Sequence, residues 1–229
     1  MQDEILSDYF DKERVSQKVK QAAEKYERRY LYRFIKRAFD IVSSFCALIV
    51  LSPIFLCTAL LIKIEDRGPI FYSQTRVTYG LREFQMYKFR SMRVDADKML
   101  DQVINMNESD GPQFKIKDDP RMTKIGKIIR KTSIDELPQL WNVLRGDISI
   151  VGPRPNQSRI VEQYSSYEKQ RFLVRGGLAS YRECNGRSRL SFEEWIAFDL
   201  KYVCDCSFAT DLKIIIKTIK AIITRDGAS

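Results

Sequence analysis

At 229 residues the chain has room for one compact domain plus an appendage, and 39 Lys+Arg against 30 Asp+Glu leave a formal net charge of +9. That excess asks for an anionic partner, whether nucleic acid, anionic lipid or a phosphorylated substrate. The sequence contains no histidine, which excludes His triads, His general bases and His-containing zinc sites and leaves carboxylate, Lys, Cys, Ser or Tyr to act as nucleophile or base.

Residues 3–37 are helix-prone, charged and increasingly basic. Two readings stand side by side. Either Arg and Lys bind anionic headgroups while Tyr30, Tyr32 and Phe34 settle at the interface, or this is a solvated helix leading to an anchor. The run IVSSFCALIVLSPIFLCTALLI, residues 41–62, carries no charge. A straight helix of it would be about 33 Å long, enough for a hydrocarbon core of about 30 Å, with a buried helix of a soluble core as the alternative. Ser52 and Pro53 interrupt it, and Pro removes a backbone hydrogen bond. Basic residues flank both ends: Arg28, Arg29, Arg33, Lys36 and Arg37 before it, Lys63, Arg67 and Arg76 after it. A single crossing keeps its positive flank on one side. Two basic flanks therefore favour a helix–break–helix hairpin that dips into one leaflet over a Pro-kinked span. Cys46 and Cys57 lie in this run; with Cys184, Cys204 and Cys206 they show no disulfide framework and read as buried or lipid-facing thiols of a reducing compartment.

Beyond the apolar run, β-prone stretches at 70–74 and 83–89 around Gly80 predict a hairpin. Residues 93–107 read as helix and 108–120 as a surface loop. MTKIGKIIRK predicts a short amphipathic helix with Ile125, Ile128 and Ile129 on one side, DELPQLWNVL another, and ISIVG a short strand. NQSRIVEQYSSYEKQRFLV, SFEEWIAFDLKYV and TDLKIIIKTIKAII complete a helix-rich α+β chain. In the last of these, Leu212, Ile216 and Ile223 alternate with Lys213, Lys217 and Lys220, which suits either a membrane-surface helix or a helix closing the core.

The stretch TSIDELPQLWNVLRGDISIVGPRP, residues 132–155, carries the adjacent carboxylates Asp135 and Glu136. One reading is purely structural: Ser133 to Glu136 fits an S-x-x-E capping box, or Asp135 caps and Pro138 falls in the first turn. The surroundings point elsewhere. Arg130 lies five residues before Asp135, Arg154 sits between two prolines, and Lys88 and Arg90 add cations from another element. Capping needs none of these, whereas a phosphorylated substrate does. Two carboxylates beside such cations suit a Mg²⁺ ion or a nucleophilic Asp.

These pieces together resemble the bacterial sugar transferases, the monotopic polyprenyl-phosphate phosphoglycosyl transferases. The resemblance is carried by KRAFDIVSSF and LSPIFL within 36–56, RGPIFYSQTRV at 67–77, FQMYKFRSM at 84–92, the 132–155 stretch, NGRSRLSFEEWIAFDLKYV at 185–203 and SFATDLKIIIKTI at 207–219. It implies a re-entrant helix broken at Ser52 and Pro53, an Asp135–Glu136 catalytic dyad, a Mg²⁺ ion held by that pair with Glu136 the better candidate ligand, and Lys88, Arg130 and Arg154 around phosphate. It also implies placement on the cytoplasmic face of the bacterial inner membrane. The chain departs from the family pattern in RGGLASYRECNGR, where Gly176, Ser180 and Glu183 replace a Pro, a Gly and a Gln.

The expected organisation is a charged helical extension over 1–33, a membrane re-entrant helix over 34–64 and a cytoplasmic catalytic domain over 65–229. The expected reaction moves a sugar 1-phosphate from a UDP-sugar to polyprenyl (undecaprenyl) phosphate, releasing UMP through a phosphosugar–aspartyl intermediate, as the initiating step of a membrane-linked glycan pathway. Expected partners are those two substrates and an anionic bilayer, with downstream glycosyltransferases and a second copy of the chain as further candidates. Nucleic acid is not expected, because the apolar run places the chain in a membrane. A non-catalytic, membrane-anchored basic scaffold is the alternative; it explains the net charge but not the acidic pair beside GPRP.

Overall fold

The structure, a computed structural model, describes residues 11–96, 98, 99, 103, 106, 116, 118–185 and 190–224. Helix α1 (Lys12–Arg28) is capped by the Asp11 carboxylate, which accepts from the Arg14 amide at 3.1 Å. Its Val15, Val19, Ala23 and Tyr26 recur at helical spacing and are buried, so one stripe enters the main core while the charged faces remain in solvent. The N-terminal segment is therefore no free extension here: Lys12–Arg28 helps form the core.

Helices α2 (Tyr30–Val50) and α3 (Ser52–Asp66) follow, bent by 59° at Leu51. The break falls where Pro53 occupies the first turn of α3, a position at which its missing N–H is not needed, and Ser52 Oγ donates to the Ile49 carbonyl at 2.8 Å. No single described helix is long and apolar enough to cross a membrane; the bent pair together is, by length and composition. One stripe of α2, at Tyr32, Lys36, Asp40 and Ser44, is buried. Leu31, Phe34, Ile35, Val42, Phe45, Ile49 and Val50 are exposed, as are Ile54, Leu56, Leu60, Leu61 and Ile64 of α3. The buried stripe fixes α2 to the body. Lys36 Nζ lies 2.7 Å from Asp211 Oδ2, and that carboxylate also accepts from the Tyr32 and Tyr202 hydroxyls at 2.9 and 2.6 Å. Asp40 accepts from Ser149 Oγ at 3.0 Å and the Ile150 amide at 2.9 Å. Tyr32 is thus a buried core residue and does not settle at an interface, whereas Tyr30 and Phe34 are exposed.

Strands β1 (Phe71–Val77) and β2 (Glu83–Phe89) form the expected antiparallel hairpin, from Phe71 opposite Phe89 to Val77 opposite Glu83. The first strand runs on to Val77, and Gly80 (φ 65°) turns the chain. Helices α4 (Lys124–Lys131) and α5 (Gln139–Arg145) lead to β3 (Ser149–Val151). Next come β4 (Asn156–Gln157), α6 (Ser158–Val161), α7 (Ser166–Lys169), β5 (Gly177–Ala179), α8 (Phe192–Asp205) and α9 (Phe208–Thr224). One sheet has the order β2-β1-β4; β3 and β5 pair in parallel. At Gly152 and Gly177 the two backbones nearly touch: a Cβ on Gly177 would lie 2.0 Å from the Gly152 amide nitrogen. That close approach sets the start of GPRP.

The helix-rich α+β expectation agrees with this architecture. In detail, the helix expected over 156–174 is broken. Asn156 and Gln157 pair with β1, and Ser165 restarts the chain with a capping box closed by Glu168. In α4, Ile129 is buried and Ile125 packs beside it, but Ile128 faces solvent. Where the sequence predicts a helix over 93–107, the described residues at its start form turns, with the Ala96 amide donating to the Arg93 carbonyl at 3.1 Å and the Met99 amide to the Ala96 carbonyl at 3.2 Å; most of the loop expected over 108–120 lies outside the described residues. The foot of α3 is tied to the hairpin and to α4. Ile62, Phe89 and Ile129 form one apolar cluster, and Glu65 accepts from the Lys124 and Ile125 amides at 2.7 and 3.0 Å.

Candidate active site

Past the end of α4, Ser133 adopts a left-handed backbone (φ 57°, ψ 16°), uncommon for a residue with a Cβ. The chain then makes a single 3₁₀ turn, Ile134–Glu136, before Pro138 and α5. Ser133 makes no side-chain cap, so the capping-box reading is overturned: its left-handed conformation is not that of an N-cap. Asp135 does not cap α5 either, whose N-cap position is Pro138.

Freed from capping, the two carboxylates have different surroundings. Glu136 Oε1 accepts from Lys88 Nζ at 3.0 Å and also from the Arg154 guanidinium. Asp135 is 6% exposed, its nearest ion-pair partner is Lys88 at 3.8 Å, and it accepts no hydrogen bond from the described residues. Burial pushes the Asp135 carboxyl up, Lys88 pulls it down, and the neighbouring Glu136 charge adds to the upward push; the net shift is upward. For Glu136, burial also pushes up, but Arg154 and Lys88 outweigh it and hold the group well below the ordinary carboxylate range. One carboxylate is pinned and ionised. The other is shielded and has no such partner within hydrogen-bond distance among the described residues.

Lys88, Arg154, Asp135 and Glu136 come into direct contact, while Arg130 stands one step back. Its Nε donates to Ser91 Oγ at 2.9 Å, and its charge acts on Asp135 through space. Arg90 is not part of the group: its guanidinium pairs with Asp66 and donates to the Pro69 carbonyl at 2.6 Å. Three further residues belong to the site. Arg76, counted above as a basic flank of the apolar run, lies in β1, donates to the Pro155 carbonyl at 3.2 Å, and is lowered to about 10 by burial and by Arg154. Arg171 is fully buried, pairs with Asp199 at 2.5 Å and donates to the Arg154 carbonyl at 2.7 Å, fixing the backbone that carries Arg154. Glu183, one of the departures from the family pattern, lies 3.9 Å from Arg154. Arg76 lies in RGPIFYSQTRV, one of the pieces that carry the resemblance, but was counted only as a flank of the apolar run; no motif surrounds Arg171, a lone cation in a mixed segment. Glu183 was visible only as a departure whose neighbour was unknown.

Four cations, Arg76, Lys88, Arg130 and Arg154, thus surround three carboxylates, a net positive site beside one carboxylate that accepts no hydrogen bond from the described residues. Among the described residues no group of three or more Asp, Glu or Cys side chains could cage a metal ion. The donor set that remains, Asp135 and the uncommitted oxygen of Glu136, suits a hard cation that keeps most of its water and takes its other ligands from a substrate.

Guanidinium and ammonium groups in excess around a carboxylate pair have the chemistry that phosphate oxygens accept. The family model described as bacterial sugar transferase matches residues 31–225, and the chain belongs to that family. It is 40% identical over 201 residues to "Galactosyl transferase CpsE" of Streptococcus agalactiae, covering 87% of this chain and 44% of the relative. It is 39% identical to "Exopolysaccharide production protein ExoY" of Sinorhizobium fredii, covering 84% of this chain and 87% of the relative. It is also 39% identical to "UDP-N-acetylgalactosamine-undecaprenyl-phosphate N-acetylgalactosaminephosphotransferase" of Aeromonas hydrophila, where 86% of this chain and 46% of the relative are covered. The chain therefore spans less than half of two of these proteins and most of the third.

Proposed function

We propose that the chain transfers a sugar 1-phosphate from a UDP-sugar to polyprenyl (undecaprenyl) phosphate, releasing UMP and starting a membrane-linked polysaccharide. The observation that carries this reading is the asymmetry of the acidic pair. Glu136 is committed to Lys88 and Arg154, whereas Asp135 is available as a nucleophile. The Asp135 carboxylate attacks the sugar-bearing phosphorus; the P–O bond to UMP breaks and UMP departs with the electron pair. A phosphate oxygen of the lipid then attacks the same phosphorus, the bond to Asp135 breaks, and a polyprenyl diphosphosugar leaves. Lys88 and Arg154 hold phosphate oxygens, and Arg130 and Arg76 add positive potential where charge develops. Mg²⁺, held by Asp135 and Glu136 with substrate oxygens and water, would neutralise the diphosphate when bound.

The anchor fits a lipid acceptor. With both ends of the bent pair on one face, a 59° bend inclines each helix by about 30° to the membrane plane, so α3 descends only about 11 Å, less than half of a hydrocarbon core of about 30 Å. The reacting groups then remain at the cytoplasmic surface of the inner membrane while the polyprenyl tail stays in lipid. A membrane-impermeant maleimide tests this on the exposed positions Glu24→Cys and Glu83→Cys; both are expected to label from the cytoplasmic side only. The chemistry is tested by UMP release from a panel of UDP-sugars in nanodiscs, with intact mass of the protein recorded when the lipid acceptor is withheld. A phosphosugar adduct on Asp135 is the expected result; an Asp135→Asn protein with full turnover rules out the nucleophile.

A further inference from the structure

A second cluster of cations lies outside the acidic pair. A cavity of about 360 Å³ opens where the α1–α2 junction faces the β1–β2 turn, with Tyr26, Tyr30, Arg33, Arg37, Tyr79 and Arg175 in its wall. None of Lys88, Asp135, Glu136 or Arg154 lines it. Lys88 and Glu83 are five residues apart on β2, about 17 Å at the rise of a strand, and Tyr79 lies in the turn beyond Glu83. The cavity therefore sits at the opposite end of the hairpin from Lys88.

Most charges in its wall have partners. Arg33 pairs with Glu27 at 2.7 Å, Lys36 with Asp211 at 2.7 Å, and Asp40 accepts from Ser149 and Ile150. Arg37 spends both terminal nitrogens on the Val143 and Leu144 carbonyls at the end of α5, at 2.6 and 2.7 Å. Arg175 differs. It is half-buried, and its guanidinium makes no hydrogen bond or ion pair with any described residue. Its charge reaches the phenols of Tyr26 and Tyr79, where it opposes burial in the first case and the hydrogen bond to Glu27 in the second. A guanidinium held in a concave, phenol-lined cavity without a counter-ion is poised for the two-pronged contact that a phosphate accepts.

The setting says what kind of phosphate. Tyr30 and Phe34 are 75% and 72% exposed, and the exposed apolar face of α2 begins with them and continues through Val42, Phe45 and Ile49. A ligand with its phosphate at Arg175 would rest its remainder on that face, which suits an amphiphile and not a free nucleotide.

We propose that this cavity is a lipid-phosphate site, in which Arg175 holds the phosphate of a membrane phospholipid whose apolar part lies along Tyr30 and Phe34. The proposal rests on reading α2 and α3 as a membrane anchor and is independent of the transfer reaction. It is tested by calorimetric titration of the full chain in a neutral detergent with dihexanoyl phosphatidylglycerol below its micelle concentration. Inorganic phosphate is titrated in a parallel arm. Saturable binding of the lipid is expected, at least tenfold tighter than inorganic phosphate. It should weaken tenfold or more in Arg175→Gln and Arg175→Ala, with melting temperatures unchanged because Arg175 supports no other group. Asp135→Asn should bind the lipid as the parent chain does, whether or not any protein in the series transfers sugar phosphate. Equal binding by the parent and both Arg175 variants would overturn the site, as would inorganic phosphate binding as tightly as the lipid. Loss of binding in Arg154→Ala with retention in Arg175→Gln would place the lipid at the acidic pair and likewise overturn it.

Discussion

Two ion clusters in this chain use the same kinds of side chain to opposite ends. At the seam between α2 and α9, Lys36 meets Asp211, and both carboxylate oxygens accept hydroxyls, from Tyr32 on one and Tyr202 on the other. At the acidic pair, one oxygen of Glu136 serves two cations while Asp135 accepts no hydrogen bond from the described residues. The seam is complete and has no capacity for a ligand; it is a rivet between the bent helix pair and the body. The acidic pair is incomplete, with cations in excess and one carboxylate in reserve, and such a cluster gains its missing contacts from a substrate.

The sharpest way to break this contrast is to neutralise one carboxylate in each. Asp135→Asn should lose turnover by on the order of 10⁴-fold while melting at or above the parent at neutral pH, since no hydrogen bond to Asp135 is removed and a buried charge is. Asp211→Asn should do the reverse: leaving Lys36 buried without its counter-charge costs about 3–5 kcal/mol in urea unfolding, while the folded fraction turns over normally. If Asp135→Asn proved as destabilising as Asp211→Asn, the distinction between rivet and reagent would fail.

A smaller effect is expected where the two kinds of cluster meet. Arg171 is buried like the seam but supports the active cluster through the Arg154 carbonyl. Arg171→Lys keeps the charge beside Asp199 and loses the fork, so Arg154 shifts while the ion pair survives. Turnover should fall about 10- to 100-fold, as misplacement by about 1 Å does elsewhere, with KM for the UDP-sugar changing less than kcat. A KM effect alone would mean that Arg154 binds the ground state and transition state equally.

How much of this was legible in the sequence follows from what each residue's signal depends on. The acidic pair, Arg130 and Arg154 lie within one short stretch, and a rigid GPRP beside two carboxylates has no simple structural purpose, so their association could be read locally. The break at Ser52 and Pro53 was equally local, because Pro has few places in a helix. The capping box failed because it assumed an extended Ser133, and nothing in the tetrapeptide announces a left-handed residue. Counting charges along the chain also misplaced residues. Lys36 and Arg76 look like basic flanks of an apolar run, yet one is buried against Asp211 and the other donates to Pro155. Arg171 had no signature at all, and Arg175 stood only as the first residue of a stretch noted for other positions, since what matters about each is a partner, present or missing, that only the fold supplies.

The finest test of the contrast is its response to pH. Asp135 is raised above its ordinary 3.8 and Glu136 lowered below its ordinary 4.5, so on acidification Asp135 takes up its proton first while Glu136 still holds Lys88 and Arg154. In the proposed reaction turnover needs the Asp135 carboxylate, and kcat/KM should fall along a single-proton limb whose midpoint lies above 3.8. The stability signs are opposite. The folded chain binds the Asp135 proton more tightly than the unfolded chain does, so ionising it costs stability as pH rises from 3.8 through the folded value. The Glu136 contribution is present above 4.5 and is lost as pH falls through its depressed folded value. Lys88→Met removes the largest downward pull on Asp135, and the activity limb should move to higher pH in what turnover remains. Asp211→Asn, with the seam broken instead, should leave the limb where it was. A limb that follows two protons in the parent, or one that stays fixed in Lys88→Met, would mean that the two carboxylates titrate as a shared pair and that the division between a pinned Glu136 and a free Asp135 is wrong.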